Sequence, residues 1–241
     1  MSSRRGLIPV VLVTAGMALI ATTVAASDVL ERVERPATAV AGAERGEQVV
    51  VDPPPPAPAS CRRVAVLGDS LMDNARWYLQ EELRSAGFDG VVEAHHSRRI
   101  PDTVRPPYSG VAAARALRAS RGEFDCWVVA LGSNDLLYQA GEPAVGSALI
   151  GQQLVALTPG ARVWWVNLNY RRDPSVGFDF AAATVGFNAA LAKRASSDPR
   201  LTVIDWYALS VANPGWFFDP VHVGTVGSRE RARQAIGALP R

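Results

Sequence analysis

Ser70, Asn134 and the pair Asp219 and His222 are the side chains whose types and settings suggest chemistry. Ser70 lies in Gly68-Asp69-Ser70-Leu71, directly after the apolar run Val64-Ala65-Val66-Leu67. A serine between a strand and a helix exposes its hydroxyl and amide at the sheet edge, where the helix N-terminus favours negative charge. Gly68 allows the tight turn. Asn134 lies in Gly132-Ser133-Asn134-Asp135, after a second apolar run, and its amide can donate to an oxyanion. Asp219-Pro220-Val221-His222 sets a carboxylate three residues before an imidazole, close enough to fold back on the ring in one turn. A nucleophilic serine needs such a base, and the base needs an orienting acceptor. Each stretch alone also reads as ordinary structure. Asp and Ser cap helices, Gly, Ser, Asn and Asp form turns, and a loop histidine is often merely exposed.

Those stretches need a scaffold that brings them together. From residue 61 the chain alternates strand and helix signals. Short apolar runs at 64–67, 91–94, 127–131, 162–167 and 201–205 read as buried parallel strands. Residues 74–86, 110–120, 145–157, 180–195 and 227–238 read as helices, with Gly87 and Pro159-Gly160 as stops. The alternation predicts an α/β domain built on an open parallel sheet covered on both faces. Ligands of such sheets sit outside the carboxyl ends of the strands. The three stretches follow the first, third and fifth predicted strands, so all fall on that one edge.

This constellation, and the text of the motifs, resembles the SGNH (GDSL-type) hydrolase family over about residues 62–240. Gly68-Asp69-Ser70-Leu71 matches the family's first block, Gly132-Ser133-Asn134-Asp135 its third and Asp219-Pro220-Val221-His222 its fifth. The resemblance implies a three-layer flavodoxin-like fold and acyl-ester chemistry. It implies Ser70 as nucleophile, His222 as base and Asp219 as orienter of the base. It further implies the Ser70 amide and Asn134 as oxyanion donors. The family's second block supplies a glycine amide to the oxyanion hole, in the loop after the second strand. Here that loop reads Ala94-His95-His96-Ser97-Arg98-Arg99-Ile100, with Ser97 at the expected place and Gly110 as the other candidate further on.

Within the family, the C-terminal part resembles the extracellular domain of cell-wall O-acetyltransferases, through Trp164-Trp165-Val166-Asn167, Asn188, Val203-Ile204-Asp205-Trp206-Tyr207 and Pro214-Gly215-Trp216-Phe217. Those proteins typically join the domain to a multispanning acyl-donor module. The resemblance therefore implies either a separate membrane protein as donor or plain ester hydrolysis. The reading is an exported serine esterase or acyltransferase acting on small acyl esters of envelope glycans. A lipid or lysophospholipid ester is the second substrate class, and a silent binding module on the same fold is the alternative from another class. The flavodoxin-like strand order also makes Cys61 and Cys126 neighbours at the opposite edge, as a disulfide in an oxidising compartment or as two buried thiols. Trp216 and Phe217, with Phe218, read either as a substrate wall or as packing. His95 and His96 read as crevice lining, as anion ligands with Arg98 and Arg99, or as a solvated loop.

The remaining arithmetic narrows the class. The chain has 241 residues, a formal net charge of +2, two cysteines and three histidines. That charge excludes a strongly basic nucleic-acid binder, and two cysteines exclude a disulfide-built scaffold or a four-cysteine zinc site. No cofactor, metal or nucleic-acid partner is expected. Lys193 is the only lysine among 25 basic residues, which reads as coding bias. Arg4 and Arg5 precede an apolar run at 7–26, long enough to span a bilayer and equally suited to a signal peptide cut after Val24-Ala25-Ala26. Ser3-Arg4-Arg5-Gly6-Leu7 also has a weak twin-arginine look. Residues 1–27 are thus expected to be a signal peptide or membrane anchor, with the remainder outside the cytoplasm. Residues 28–60 read as a disordered, Pro-rich spacer ending in Asp52-Pro53-Pro54-Pro55-Pro56-Ala57-Pro58, and 61–241 as the catalytic domain.

Overall fold

The computed structural model describes residues 60–173, 175 and 177–241. The expected export segment, and the spacer up to residue 59, lie outside the described residues. Among the described residues no helix is long and apolar enough to cross a membrane.

Five short apolar runs become five parallel strands: β1 (Arg63–Gly68), β2 (Asp89–Ala94), β3 (Cys126–Ala130), β4 (Arg162–Val166) and β5 (Leu201–Ile204). Their order is β2-β1-β3-β4-β5, so the chain reverses direction across the sheet between β1 and β3. Such a reversal opens a crevice at the carboxyl ends of the two central strands. The pairing register sets Gly68 beside Ala94 on one side and Ala130 on the other, so all three strands end level.

Strand alternation splits the core in two. Ala65, Leu67, Trp127, Val129 and Trp165 face helices α3 (Gly110–Arg121), α4 (Pro143–Ala156) and α5 (Phe180–Ser197). Val64, Val66, Val128, Trp164 and Val166 face α1 (Ser70–Asn74), α2 (Arg76–Ser85), α6 (Trp206–Val211) and α7 (Thr225–Gly237). The result is the expected three-layer α/β sandwich. Trp127 and Trp165 are wholly buried in the first layer. Burying such a ring stabilises the fold by at most about 4–6 kcal/mol. Their indole N–H groups donate to Thr158 Oγ1 and to the Leu131 carbonyl, so neither loses a hydrogen bond on burial.

Two local differences from the sequence reading bear on the site. The helix expected over 74–86 is α2, and a further short helix, α1, precedes it and begins at Ser70 itself. Short 3₁₀ segments at Ser133–Tyr138 and Pro214–Trp216, and helix α6, were not legible as helices. At the edge away from the crevice, Cys61 and Cys126 are joined by a disulfide with Cα atoms 5.6 Å apart.

Candidate active site

β1 delivers Ser70 to the carboxyl edge. Gly68 is required by close approach, since a Cβ there would sit 2.4 Å from Met72 Cβ. Asp69 caps α1 by accepting the Leu71 N–H at 3.0 Å. Ser70 is then the first residue of the helix, and its own N–H has no acceptor among the described residues. The Ser70 hydroxyl lies 3.0 Å from His222 Nε2. His222 Nδ1 lies 2.7 Å from Asp219 Oδ2.

The 216–224 loop makes this alignment. Its base is pinned by a bridge between Phe217 and Val223 and by the Gly224 N–H to the Trp216 carbonyl at 2.8 Å. Inside it, Asp219 Oδ1 accepts the N–H groups of Val221 at 2.7 Å and His222 at 2.6 Å. Burial raises the Asp219 carboxyl, but those two N–H groups and the imidazole outweigh it and hold it below the usual carboxylate range. Asp219 therefore stays ionised and fixes the proton of His222 on Nδ1, leaving Nε2 to accept from Ser70.

β3 delivers Asn134. Gly132 turns the chain at φ +126°, a conformation L side chains rarely adopt, and a Cβ there would meet the buried Phe187 ring at 2.6 Å. Asn134 donates one amide proton to the Arg98 carbonyl at 3.1 Å, which leaves the other free to face the crevice. Ser97 sits exposed in the second-block turn with φ +57°, the left-handed region that favours glycine. Its N–H has no backbone acceptor among the described residues. Gly110 is a different matter. Its N–H donates to the Arg99 carbonyl at 2.7 Å and its Cα packs against Leu131 and Gln153. The Gly110 amide is thus committed to the Arg99 carbonyl, so Gly110, expected as an oxyanion candidate, is a packing residue instead.

The aromatic expectation also needs correcting. Trp216 stacks on Trp206 with centroids 6.0 Å apart and packs on the core, so it does not line a wall. Phe217 is half-buried with the Arg171 guanidinium over its face. The exposed ring is Phe218, which lies parallel to His222 at 6.0 Å. His96 is exposed and stacks on His95 at 4.2 Å. Arg98 is no ligand-binding arginine: it is fully buried. Its guanidinium donates to the carbonyls of Pro107, Gly68 and Glu93 and to Glu93 Oε1.

The sequence reading missed several buried groups behind the site. Arg98 ties the first, second and third motifs together, since it holds the Gly68 carbonyl and its own carbonyl holds Asn134. Ser133 donates its hydroxyl to Asp69 Oδ2. Burial raises the Asp69 carboxyl, with Ser133 and the nearby Arg231 opposing it. Arg231 is buried on α7 with Nε and Nη1 unpartnered, and burial lowers its pKa to about 10. Its signal was available, because 227, 231 and 235 share the buried helix face and 231 alone is charged. Asp135 accepts from Arg99 Nε and the Ile100 N–H, yet burial pushes its carboxyl up to about 7. Asn188 and Asn167 serve the scaffold. Asn188 clamps the N–H and carbonyl of Leu168, and Asn167 joins Asp205 to the start of α6. Among the described residues no group of three His, Cys, Asp or Glu side chains is placed to hold a metal.

No protein-family model and no curated protein matches the sequence. Solved structures do match its fold. The C-terminal catalytic domain of Streptococcus pneumoniae peptidoglycan O-acetyltransferase A, solved with a methylsulfonyl adduct, aligns at 18% identity over 74% of this chain and 92% of that one, with a TM-score of 0.57. A member of the lipolytic G-D-S-L family from Veillonella parvula aligns at 15% identity over 73% of this chain and 97% of its own, with a TM-score of 0.59. The fold is that of SGNH hydrolases. Est24, a carbohydrate acetylesterase from Sinorhizobium meliloti, shares it at 14% identity over 73% of this chain and 97% of that one, with a TM-score of 0.55. The SGNH fold accounts for the crevice, and this chain's own residues fill it.

Proposed function

We propose that this chain is an exported serine esterase or O-acyltransferase that acts on small acyl esters of cell-envelope carbohydrate. The observation that carries the reading is the continuous hydrogen-bonded chain from the Ser70 hydroxyl through His222 to Asp219, at 3.0 and 2.7 Å. His222 Nε2 takes the Ser70 proton as Oγ attacks the acyl carbonyl carbon. The carbonyl oxygen becomes an oxyanion that accepts from the Ser70 N–H, the free Asn134 amide proton and the Ser97 N–H. His222 then returns its proton to the leaving alkoxide, and the acyl group stays on Ser70. Water or a sugar hydroxyl, deprotonated by His222, attacks the acyl-enzyme and restores Ser70.

The substrate class and compartment rest on separate support. An O-acetyltransferase catalytic domain and a carbohydrate acetylesterase share the fold. Ser70, Asp219 and His222 are all half-exposed, which suits an ester borne on a bulky polymer. The Cys61–Cys126 disulfide fits an oxidising compartment, as does an N-terminal signal or anchor. Transfer rather than hydrolysis would require an acyl donor, supplied by a separate membrane protein.

Turnover of p-nitrophenyl acetate tests the chemistry. The wild type releases nitrophenol and a sulfonyl fluoride labels Ser70, while Ser70→Ala lowers kcat by at least about 10³-fold. A wild type with no turnover and no label would mean a binding module instead.

A further inference from the structure

We propose that the ester taken at this site carries a negative charge near the scissile group, and that Arg171 reads that charge. The inference rests on the acyl-transfer reading of Ser70 and adds the class of substrate. Arg171 lies in the loop between β4 and α5 and is exposed. Three contacts fasten it to the loop that carries Asp219 and His222. Its N–H donates to the Pro220 carbonyl at 2.7 Å, its Nη1 donates to the Pro214 carbonyl at 3.3 Å, and its guanidinium carbon lies 5.3 Å from the Phe217 ring centroid. A free arginine loses rotamer entropy when a ligand fixes it. Here the loop has already ordered the side chain, and Nε and Nη2 remain unbonded among the described residues. That is a preorganised planar donor pair of the kind that grips a carboxylate or phosphate.

No carboxylate pairs with it directly. Among the described residues Arg171 forms no ion pair. Asp219 is spent on His222 and on two backbone N–H groups. Asp173, two residues on, accepts from the N–H and hydroxyl of Ser175.

The loop on the other side of Ser70 has the same character. The His95 N–H donates to the Gly68 carbonyl at 3.1 Å, which sets this loop against the first motif. Tyr108 meets the His95 ring edge-on at 5.0 Å and carries Arg105 over its own face at 6.0 Å. The acids nearby are taken, Asp102 by Arg115 and Glu93 by Arg98. Arg99 also covers Tyr138, at 3.4 Å, while its Nε donates to Asp135. A sugar ring packs on an open aromatic face, whereas the faces of Phe217, Tyr108 and Tyr138 each hold a guanidinium. The rim therefore presents guanidinium groups beside the exposed Phe218 ring.

Acetate release by the full chain from an O-acetylated polyuronate and from an O-acetylated neutral xylan tests this. At low salt, kcat/KM for the polyuronate should exceed that for the xylan by about tenfold, and only the polyuronate rate should fall at 0.3 M NaCl. Arg171→Gln should reduce the polyuronate-to-xylan ratio by about tenfold through KM, and Arg171→Lys should restore part of it, since the charge returns without the planar fork. Competition assays separate the anion sources. Inhibition by a uronate oligomer supports a carboxylate ligand, and inhibition by a glycerol-phosphate oligomer alone supports the same seat filled by phosphate. Inhibition by neither, equal rates on both polymers, or a ratio unchanged in Arg171→Gln overturns the proposal. If p-nitrophenyl acetate is turned over in any of those cases, the acyl-transfer reading survives and only the anionic substrate falls.

Discussion

The two ends of the sheet are built on opposite principles. At the amino end the chain is closed by covalent and backbone bonds. Cys61 is bonded to Cys126, the Cys61 N–H donates to the Pro240 carbonyl, and Asp125 accepts the N–H groups of Arg62 and Arg63. The Arg63 guanidinium donates to the carbonyls of Glu123 and Arg121 near the surface, where its charge stays solvated. At the carboxyl end, Asp69, Arg98, Asp135 and Arg231 are buried, and Ser97 holds a positive φ. Buried charge and backbone strain each cost stability. Concentrating most of them at one end, with Asp198 buried at the other, is the mark of a site whose geometry matters more than its contribution to folding, while the far end supplies the constraint that offsets the cost.

The largest effect expected from this contrast is on catalysis at the carboxyl end. Asn134→Ala removes an oxyanion donor and should lower kcat by about 10²–10³-fold with little change in KM. Arg98→Met keeps the side-chain volume but removes every hydrogen bond from the guanidinium. It should cost a similar factor, since the Arg98 segment fixes both Gly68 and Asn134. If the two residues act through one another, the double variant should be little worse than Asn134→Ala alone. Additive losses on p-nitrophenyl acetate would show that Arg98 acts independently of Asn134.

How much of this was legible in the sequence follows from the same contrast. The strands and the three motifs could be read because short apolar runs mark parallel strands, because Ser70 and Asn134 follow the ends of β1 and β3 within a few residues, and because Asp219 and His222 lie three residues apart. Arg98 could not be read in that way. Its meaning comes from carbonyls on β1, on β2 and near Pro107, which only the folded sheet brings together. The break at Ala75 is likewise silent, since alanine is a strong helix former and neither Gly nor Pro stands there. Helix α6 is six residues of mixed aromatic and aliphatic character, too short to show a period. Gly110 misled because a glycine after the second strand suits an oxyanion hole and a tight helix start equally well, and only its neighbours Leu131 and Gln153 decide.

The next largest effect should appear at the amino end, in stability alone. The disulfide closes a loop across a sequence separation of 65. Replacing both cysteines by alanine should remove about 3 kcal/mol and lower Tm by about 10 °C. The hydrolysis rate at 25 °C should be unchanged, because the bond lies at the far end of β1 and β3 from Ser70. Reduction of the wild type should reproduce the shift in a thermal melt. A fall in kcat with preserved folding would mean that the two ends are coupled, and the division of labour would be wrong.

The smallest effect concerns one buried carboxylate. Burial raises Asp135 to about 7 in the folded chain, against an ordinary value of 3.8. Between those values the folded state binds more protons than the unfolded state, so this group makes stability fall as pH rises. The loss begins near pH 4 and is complete a little above pH 7. Asp135→Asn removes that titration. Denaturant unfolding at pH 5 and pH 7 should therefore show the wild type losing about 2 kcal/mol more than the variant over that interval. The comparison between variants isolates Asp135 from Asp69, whose carboxyl is also raised by burial and remains in both. Ion pairing at the amino end gives the opposite sign: Asp198, held low chiefly by Arg200, favours the folded state as pH rises from strongly acid values. Parallel pH profiles for wild type and Asp135→Asn would place Asp135 in its ionised pair with Arg99 throughout, and would make the carboxyl end less strained than its buried charges imply.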